Sequence, residues 1–299
     1  MAKEPKSLNG QVVAITGGAR GIGKATAAAL VSEGARVAIG DLDADLAERT
    51  AAELGDSVRA YELDVTSRPS FAAFLDAVER DLGPLDVLVN NAGIMQLGPF
   101  VEESDATAVR LVDINVHGVL FGMKEAIPRM LRRGGGHVVN LASAAGKGGF
   151  PHAATYCATK HAVVGVSEAV LAELRDTGVE ISVVMPALVN TELGSGVEAG
   201  RAVKKLEPEE VADAIVDALR VPRFDVFVPK SVGPINKFMM LLPRRGREAV
   251  ARFLKADRIL VEVDTARRAA YEDRAAHSEP GSLEPATGDE EEAEAPLVR

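Results

Sequence analysis

Val12-Val13-Ala14-Ile15-Thr16-Gly17-Gly18-Ala19-Arg20-Gly21-Ile22-Gly23 is the stretch that decides how this chain folds. Its first four residues form the short, β-branched apolar run of a strand buried on both faces. The glycines then allow a tight turn, and the Ala-rich stretch 24–33, stopped by Gly34, has the composition and length of a helix. Strand, glycine turn and helix in that order give a glycine cluster chemical meaning. Where no Cβ stands in the way the backbone can approach a pyrophosphate, and the free N–H groups of the helix N-terminus meet its charge.

The same unit repeats along the chain. A second strand over 36–40 ends at Asp41, near the ~20-residue offset at which an acid reaches an adenosine ribose. Helix N-capping is the competing use, and Asp43 is a second candidate for it. A helix over 45–54, a strand over 58–63 ending before Asp64, a helix over 70–82 and a strand over 85–89 follow. Asn90-Asn91-Ala92-Gly93 comes next, then a long helical region to about 133 that contains Asp113-Ile114-Asn115, then a strand over 137–141 with Ser143 just beyond. A sixth strand over 181–185, a helix opened by Pro208 and a seventh strand over 224–228 complete the pattern. Strands alternating with helices imply right-handed crossovers and one parallel α/β sheet.

Thr155-Tyr156-Cys157-Ala158-Thr159-Lys160 places a phenol and an ammonium four residues apart, hence on one face of the helix predicted to run to Thr177. A neighbouring cation favours the phenolate, which makes Tyr156 the candidate acid/base.

Composition narrows the function classes. Of 299 residues, 47% are hydrophobic and only 4% aromatic, which suits Ala-, Val- and Leu-rich helices on a buried sheet. A single cysteine excludes an intrachain disulfide. The start of the chain is polar and no apolar run reaches membrane-spanning length, so a cytoplasmic location is expected. The net charge of −10 is uneven: residues 276–299 hold seven acids and one base, −6, leaving −4 on residues 1–275. That balance offers no footprint for nucleic acid, and the Pro- and Glu-rich tail reads as disordered. The five histidines fall at no metal-ligand spacing, so no metal is expected. His117, His137, His161 and His277 read as structural, whereas His152 precedes Tyr156 and is a possible substrate contact.

Gly17-x-x-x-Gly21-x-Gly23, Asp64, Asn90-Asn91-Ala92-Gly93, Asn115, Ser143 and Tyr156-x-x-x-Lys160, in that order, make the sequence resemble the classical short-chain dehydrogenase/reductase family over residues 8–229. The resemblance implies one Rossmann-type, doubly wound parallel sheet of seven strands in the order 3-2-1-4-5-6-7. By resemblance Tyr156 exchanges a proton with the substrate oxygen and Ser143 hydrogen-bonds that oxygen. Lys160 lowers the tyrosine pKa and grips the nicotinamide ribose, and Asn115 holds a relay water. Gly17, Arg20, Gly21, Ile22, Gly23, Asp41, Asp64, Val65, Asn90, Val189 and Thr191 become cofactor contacts, while Asn91 bonds within the sheet. Ala187 departs from the glycine usual there.

These residues imply an NAD-dependent alcohol or ketone oxidoreductase. An inactive nucleotide-binding scaffold, a sugar-nucleotide epimerase or dehydratase, and an NADP-dependent reductase are the alternatives. Asp41 favours NAD, since a 2′-phosphate there would meet a like charge, although Arg20 offers a counter-charge. Ile94, Met95, Leu97, Ala145, Phe150, Leu188, Leu193 and Val197 are expected to border a lipophilic substrate, under a mobile loop over 191–205. The family is usually dimeric or tetrameric through the helices of Asn115 and Tyr156. A helical extension is expected over 237–275, after a Rossmann domain over 8–236. Its residues 237–258 carry seven bases against two acids and read as a basic amphipathic helix that covers the pocket or an interface, or touches an anionic membrane.

Overall fold

The fold is built on seven parallel strands: β1 (Val12–Thr16), β2 (Arg36–Asp41), β3 (Val58–Glu62), β4 (Val87–Asn90), β5 (Gly136–Leu141), β6 (Val179–Pro186) and β7 (Asp225–Val228). Their spatial order is β3-β2-β1-β4-β5-β6-β7, the order expected from the sequence. The computed structural model describes residues 5–197, 205–253 and 258–277. Every residue of β1 is buried. Val12, Val13 and Ile15 are fully removed from solvent, worth about 1.5–3 kcal/mol each.

Helices cover both faces. α1 (Gly21–Ser32) and α2 (Ala44–Leu54) pack on one face and α3 (Arg68–Leu82) on the other. Asp43, not Asp41, caps α2, with its carboxylate accepting from Leu46 N–H. The long helical region resolves into α4 (Asp105–Val112), a π-helical turn (Asp113–His117) and α5 (Gly118–Arg132). Asn115 lies in that π turn, the kind of helix defect that re-aims a side chain. α6 (Ala154–Glu173) carries Tyr156 and Lys160, and α7 (Pro208–Arg220) returns the chain to β7.

Beyond β7 come α8 (Val232–Leu241), α9 (Arg244–Phe253) and α10 (Thr265–His277). The basic amphipathic helix expected to continue to 258 is described only as α9, because 254–257 lie outside the described residues. Phe238, Met240 and Leu241 of α8 and Phe253 of α9 are exposed. α10 instead turns back over the carboxyl ends of the strands, where Arg268 and Ala275 are buried. The acidic stretch beyond 277 and the middle of the loop over 191–205, residues 198–204, also lie outside the described residues. No helix of the described residues is long and apolar enough to cross a membrane.

Candidate active site

The turn after β1 explains its glycines. Gly17 has φ +64°, in the left-handed region, and a Cβ there would stand 2.9 Å from the Ala92 Cα. At Gly23 a Cβ would stand 2.2 Å from the Gly17 carbonyl oxygen, so no side chain fits between turn and helix. Arg20, the N-cap of α1, makes no side-chain capping bond, and the first turn carries no acid. The N-terminus of α1 is therefore open to an anion. Asn91 locks the turn from the neighbouring strand by donating to the carbonyls of Thr16 and Gly17, each at 2.9 Å, as expected of a residue bonding within the sheet.

A cavity of about 540 Å³, within the usual range for a small-molecule site, runs along the carboxyl ends of β1 to β4. Of the expected cofactor contacts, Gly17, Arg20, Gly21, Ile22, Asp41, Asp64, Val65 and Thr191 line it. The others are placed differently. The Asn90 amide is buried and donates to Asn140 Oδ1 at 2.8 Å, so its side chain braces β4 against β5 while Asn91, Ala92 and Gly93 face the cavity. Val189 is buried and pairs with Leu206, and Gly23 packs behind the turn. Asp41 Oδ2 accepts Ala19 N–H at 3.1 Å and Oδ1 accepts Asp43 N–H at 3.2 Å, fixing the carboxylate at the end of β2. Arg20 is clasped by Asp43 at 2.8 Å and Glu192 at 3.3 Å. The donor set of a dinucleotide site is thus present: an open helix end, a glycine turn and an acid at the ribose position.

Next to this cavity lies a separate apolar cluster. Met95, Leu111, Ala145, Ala153, Tyr156, Cys157, Val197 and Leu260 are its buried members, with Ile94, Leu97, Phe150, Leu188, Leu193, Ile259 and Val263 packed on them. All eight residues expected to border substrate belong to it. His152 adopts φ +64° and its carbonyl accepts Gly98 N–H at 2.9 Å, a loop-shaping role. Among the structural histidines, His137 is buried against Ser182 Oγ at 2.9 Å, and burial pulls its pKa down to about 3.

Tyr156 and Lys160 are both buried on α6. Burial pushes the phenol up to about 12, against the downward pull of the Ser143 hydroxyl and the Arg268 guanidinium. Lys160 lies 5.7 Å from the centre of the Tyr156 ring and donates to the Leu141 carbonyl at 2.9 Å. Burial lowers its own pKa to about 8. Ser143 and Arg268 are thus the groups that pull the tyrosine pKa down here, against the larger effect of burial. Ser143, just past β5, also accepts Ala145 N–H at 3.1 Å. The Asn115 amide accepts Ile94 N–H at 2.9 Å and donates to the Ile94 carbonyl at 2.9 Å and to Thr159 Oγ1 at 3.1 Å. Both of its N–H groups having partners, that side chain has none left to offer a relay water.

Sequence reasoning missed what α10 brings. Buried Arg268 donates to the carbonyls of Leu193 at 2.7 Å, Ser195 at 3.1 Å and Met95, and pairs with Glu272. The Tyr271 hydroxyl accepts Met95 N–H at 2.8 Å. Tyr271, Arg274 and Ala275 line the same cavity as the glycine turn. The only signal was one of three tyrosines, at helical spacing from two arginines, in a segment beyond the recognised motifs.

Comparison with known proteins places this geometry. Residues 11–202 match the short chain dehydrogenase family model. Sorbitol dehydrogenase of Cereibacter sphaeroides is 41% identical over 193 residues, 64% of this chain and 75% of that protein. The 17-beta-hydroxysteroid dehydrogenase 13 of Rattus norvegicus is 32% identical over 253 residues, 83% of this chain and 84% of that protein. A solved short chain dehydrogenase/reductase from Burkholderia phymatum, in complex with NAD, superposes with a TM-score of 0.72 at 28% identity, covering 78% of this chain and 93% of its own. The motifs, the strand order and these matches agree, and the chain belongs to the short-chain dehydrogenase family.

Proposed function

We propose that the protein is an NAD-dependent oxidoreductase acting on a lipophilic secondary alcohol or its ketone, of steroid, retinoid or alkyl type. When bound, the nicotinamide supplies the hydride acceptor or donor. Tyr156 takes the hydroxyl proton during oxidation and returns it during reduction. Ser143 donates to the substrate oxygen, and Lys160 holds the nicotinamide ribose. Asn115 braces the loop after β4 and the start of α6 through Ile94 and Thr159. In reduction the buried phenol supplies the proton, in oxidation it acts as the phenolate, and the nearby donors stabilise that negative charge.

The observation that carries this reading is Tyr156 buried in an apolar cluster whose members Ile94 and Leu193 also line the cavity of the glycine turn. Retention of Ser143, Tyr156 and Lys160 together favours turnover over a nucleotide-binding scaffold. The relatives act on a polyol and a steroid, and the apolar cluster favours the steroid-like class. The test is incubation with NAD or NADP and a matched panel of 2-octanol, a hydroxysteroid, retinol and sorbitol, following reduced nicotinamide by absorbance. Turnover of the lipophilic members with NAD supports the proposal. Preference for sorbitol or for NADP would overturn its substrate or cofactor half.

Two surfaces have partners in this reading. Ala158, Ala162, Gly165 and Ala169 form an exposed small-residue face on α6, which lets a second copy's helices approach closely and supports a homodimer or homotetramer. Light scattering on the eluting protein reads that state directly. The exposed Phe238, Met240, Leu241 and Phe253, beside Lys237, Arg244, Arg245, Arg247 and Arg252, fit an anionic bilayer surface that could hold a lipophilic substrate. Binding to anionic vesicles at low salt, lost at high salt, supports this contact; indifference to the vesicles refutes it.

A further inference from the structure

The cavity that holds the glycine turn has an unbalanced lining. Asp41, Asp43, Asp64 and Glu192 contribute four carboxylates, and Arg20 and Arg274 are the cations among the lining residues. Arg20 is committed to Asp43 and Glu192. Arg274 shares only the second of these, at 2.7 Å from the same Glu192 oxygen that Arg20 meets. Glu192 follows Thr191, whose Cγ2 lies 3.4 Å from the Cβ position of Gly21 at the first turn of α1. A guanidinium from α10 therefore stands across the cavity from the open helix N-terminus. A pyrophosphate brings two negative charges to that place, and a guanidinium matches such oxygens in pairs.

A second lining residue of α10, Tyr271, lies toward the loop after β4. Tyr271 lines the cavity together with Gly93, Ile94, Ile114 and Leu193, and its hydroxyl oxygen accepts Met95 N–H. The phenolic proton is thereby left to point elsewhere. Arg268 holds the helix in this place. Its three carbonyl partners lie on the loops after β4 and β6, its guanidinium stands 4.7 Å from the Tyr271 ring centre, and the side chain is 2% exposed.

We propose that α10 is a wall of the cofactor site: Arg274 meets the dinucleotide pyrophosphate opposite the start of α1, Tyr271 meets its nicotinamide end, and Arg268 is the positioning residue that fixes both. This rests on the dinucleotide reading above and adds residues to that same site. It lies beyond the part of the chain matched by the family model, which stops at 202.

Equilibrium binding of NADH and of ADP-ribose to the full chain tests it, since ADP-ribose keeps the pyrophosphate and lacks the nicotinamide. Arg274→Gln should weaken both ligands about tenfold, the effect of one charge-assisted hydrogen bond, and Arg274→Lys should recover part of that loss. Tyr271→Phe should weaken NADH severalfold and leave ADP-ribose unchanged. Arg268→Met should weaken both, and if it does not fold, the two partly exposed positions still decide the matter. Folded Arg274→Gln protein that binds both ligands within twofold of wild type would overturn the proposal. So would a Tyr271→Phe loss equal for the two ligands. Wild-type protein that binds neither NADH nor ADP-ribose would instead overturn the dinucleotide reading itself, and this proposal with it.

Discussion

Replacing Asp41 by Asn tests the cofactor reading at a single charge. The carboxylate is held at the end of β2 by Ala19 N–H at 3.1 Å and Asp43 N–H at 3.2 Å, which leaves acceptor capacity on both oxygens for ribose hydroxyls. A 2′-phosphate within about 4 Å of it would be repelled by about 4 kcal/mol at an effective dielectric of about 20, roughly a thousandfold in affinity. Arg20 could offset this only by leaving Asp43 and Glu192, which now hold it. Asn has nearly the same shape and keeps one acceptor, so Asp41→Asn should cost about 1 kcal/mol in lost hydrogen bonding and change NADH binding less than about tenfold. NADPH binding should tighten by about a hundredfold, short of the full thousand because Asp43 and Glu192 remain. Fluorescence titration with both reduced cofactors measures the ratio. A wild-type protein that binds NADPH within tenfold of NADH, or an Asp41→Asn protein with an unchanged ratio, would refute the reasoning.

Tyr156→Phe removes only the proton-exchanging oxygen from a buried ring, so turnover should fall below about a tenth of wild type while NADH binding stays nearly intact, as steady-state rates and titration would show. Lys160→Met should weaken NADH binding and abolish turnover, yet raise the melting temperature. Burial holds the Lys160 pKa at about 8, below the unfolded value of 10.5, so folding keeps this charge at a cost below pH 8 that fades as pH rises to 10.5. That cost is at most about 3 kcal/mol, less about 1 kcal/mol for the unpaired Leu141 carbonyl, and calorimetry at pH 7 against pH 10 would detect it. His137, pulled down to about 3 from 6.5, works in the same direction at lower pH: the unfolded chain takes up a proton that the folded one refuses. Stability should decline from pH 6.5 toward 3 by up to about 1.4 kcal/mol per pH unit, and His137→Gln should remove that slope in urea titrations.

The strand order and much of the cavity lining were legible in the sequence because they rest on local signals. β1 announces itself by four consecutive apolar residues, and the turn after it by glycines that no side chain could replace. Tyr156 and Lys160 are four apart on one helix, so their proximity needs no tertiary information. Their electrostatics does. Spacing suggested an ammonium that lowers a phenol's pKa, but the depth at which α6 packs desolvates both groups and moves each toward its neutral form. The Asn90 side chain also needed tertiary information: its rotamer, fixed by Asn140 across the β4–β5 pair, turns it into the sheet. Arg268, Tyr271 and Arg274 were invisible because their partners lie on loops far away in sequence, at Met95 and around Glu192.

That distant contribution alters how the reaction centre can be understood. Burial lowers the Lys160 pKa to about 8, so its ammonium begins to discharge in mildly alkaline solution. A guanidinium, in contrast, stays charged throughout the working range. Arg268, buried and tied to three carbonyls, therefore holds its positive charge near Tyr156, where it pulls the phenol's pKa down. Proton transfer at the phenol depends on an anion existing briefly on oxygen, so a guanidinium fixed nearby helps to hold that charge. The helix that lines the cavity with Tyr271, Arg274 and Ala275 thus also carries a charge that acts on Tyr156, which ties the proposed cofactor wall to the acid/base.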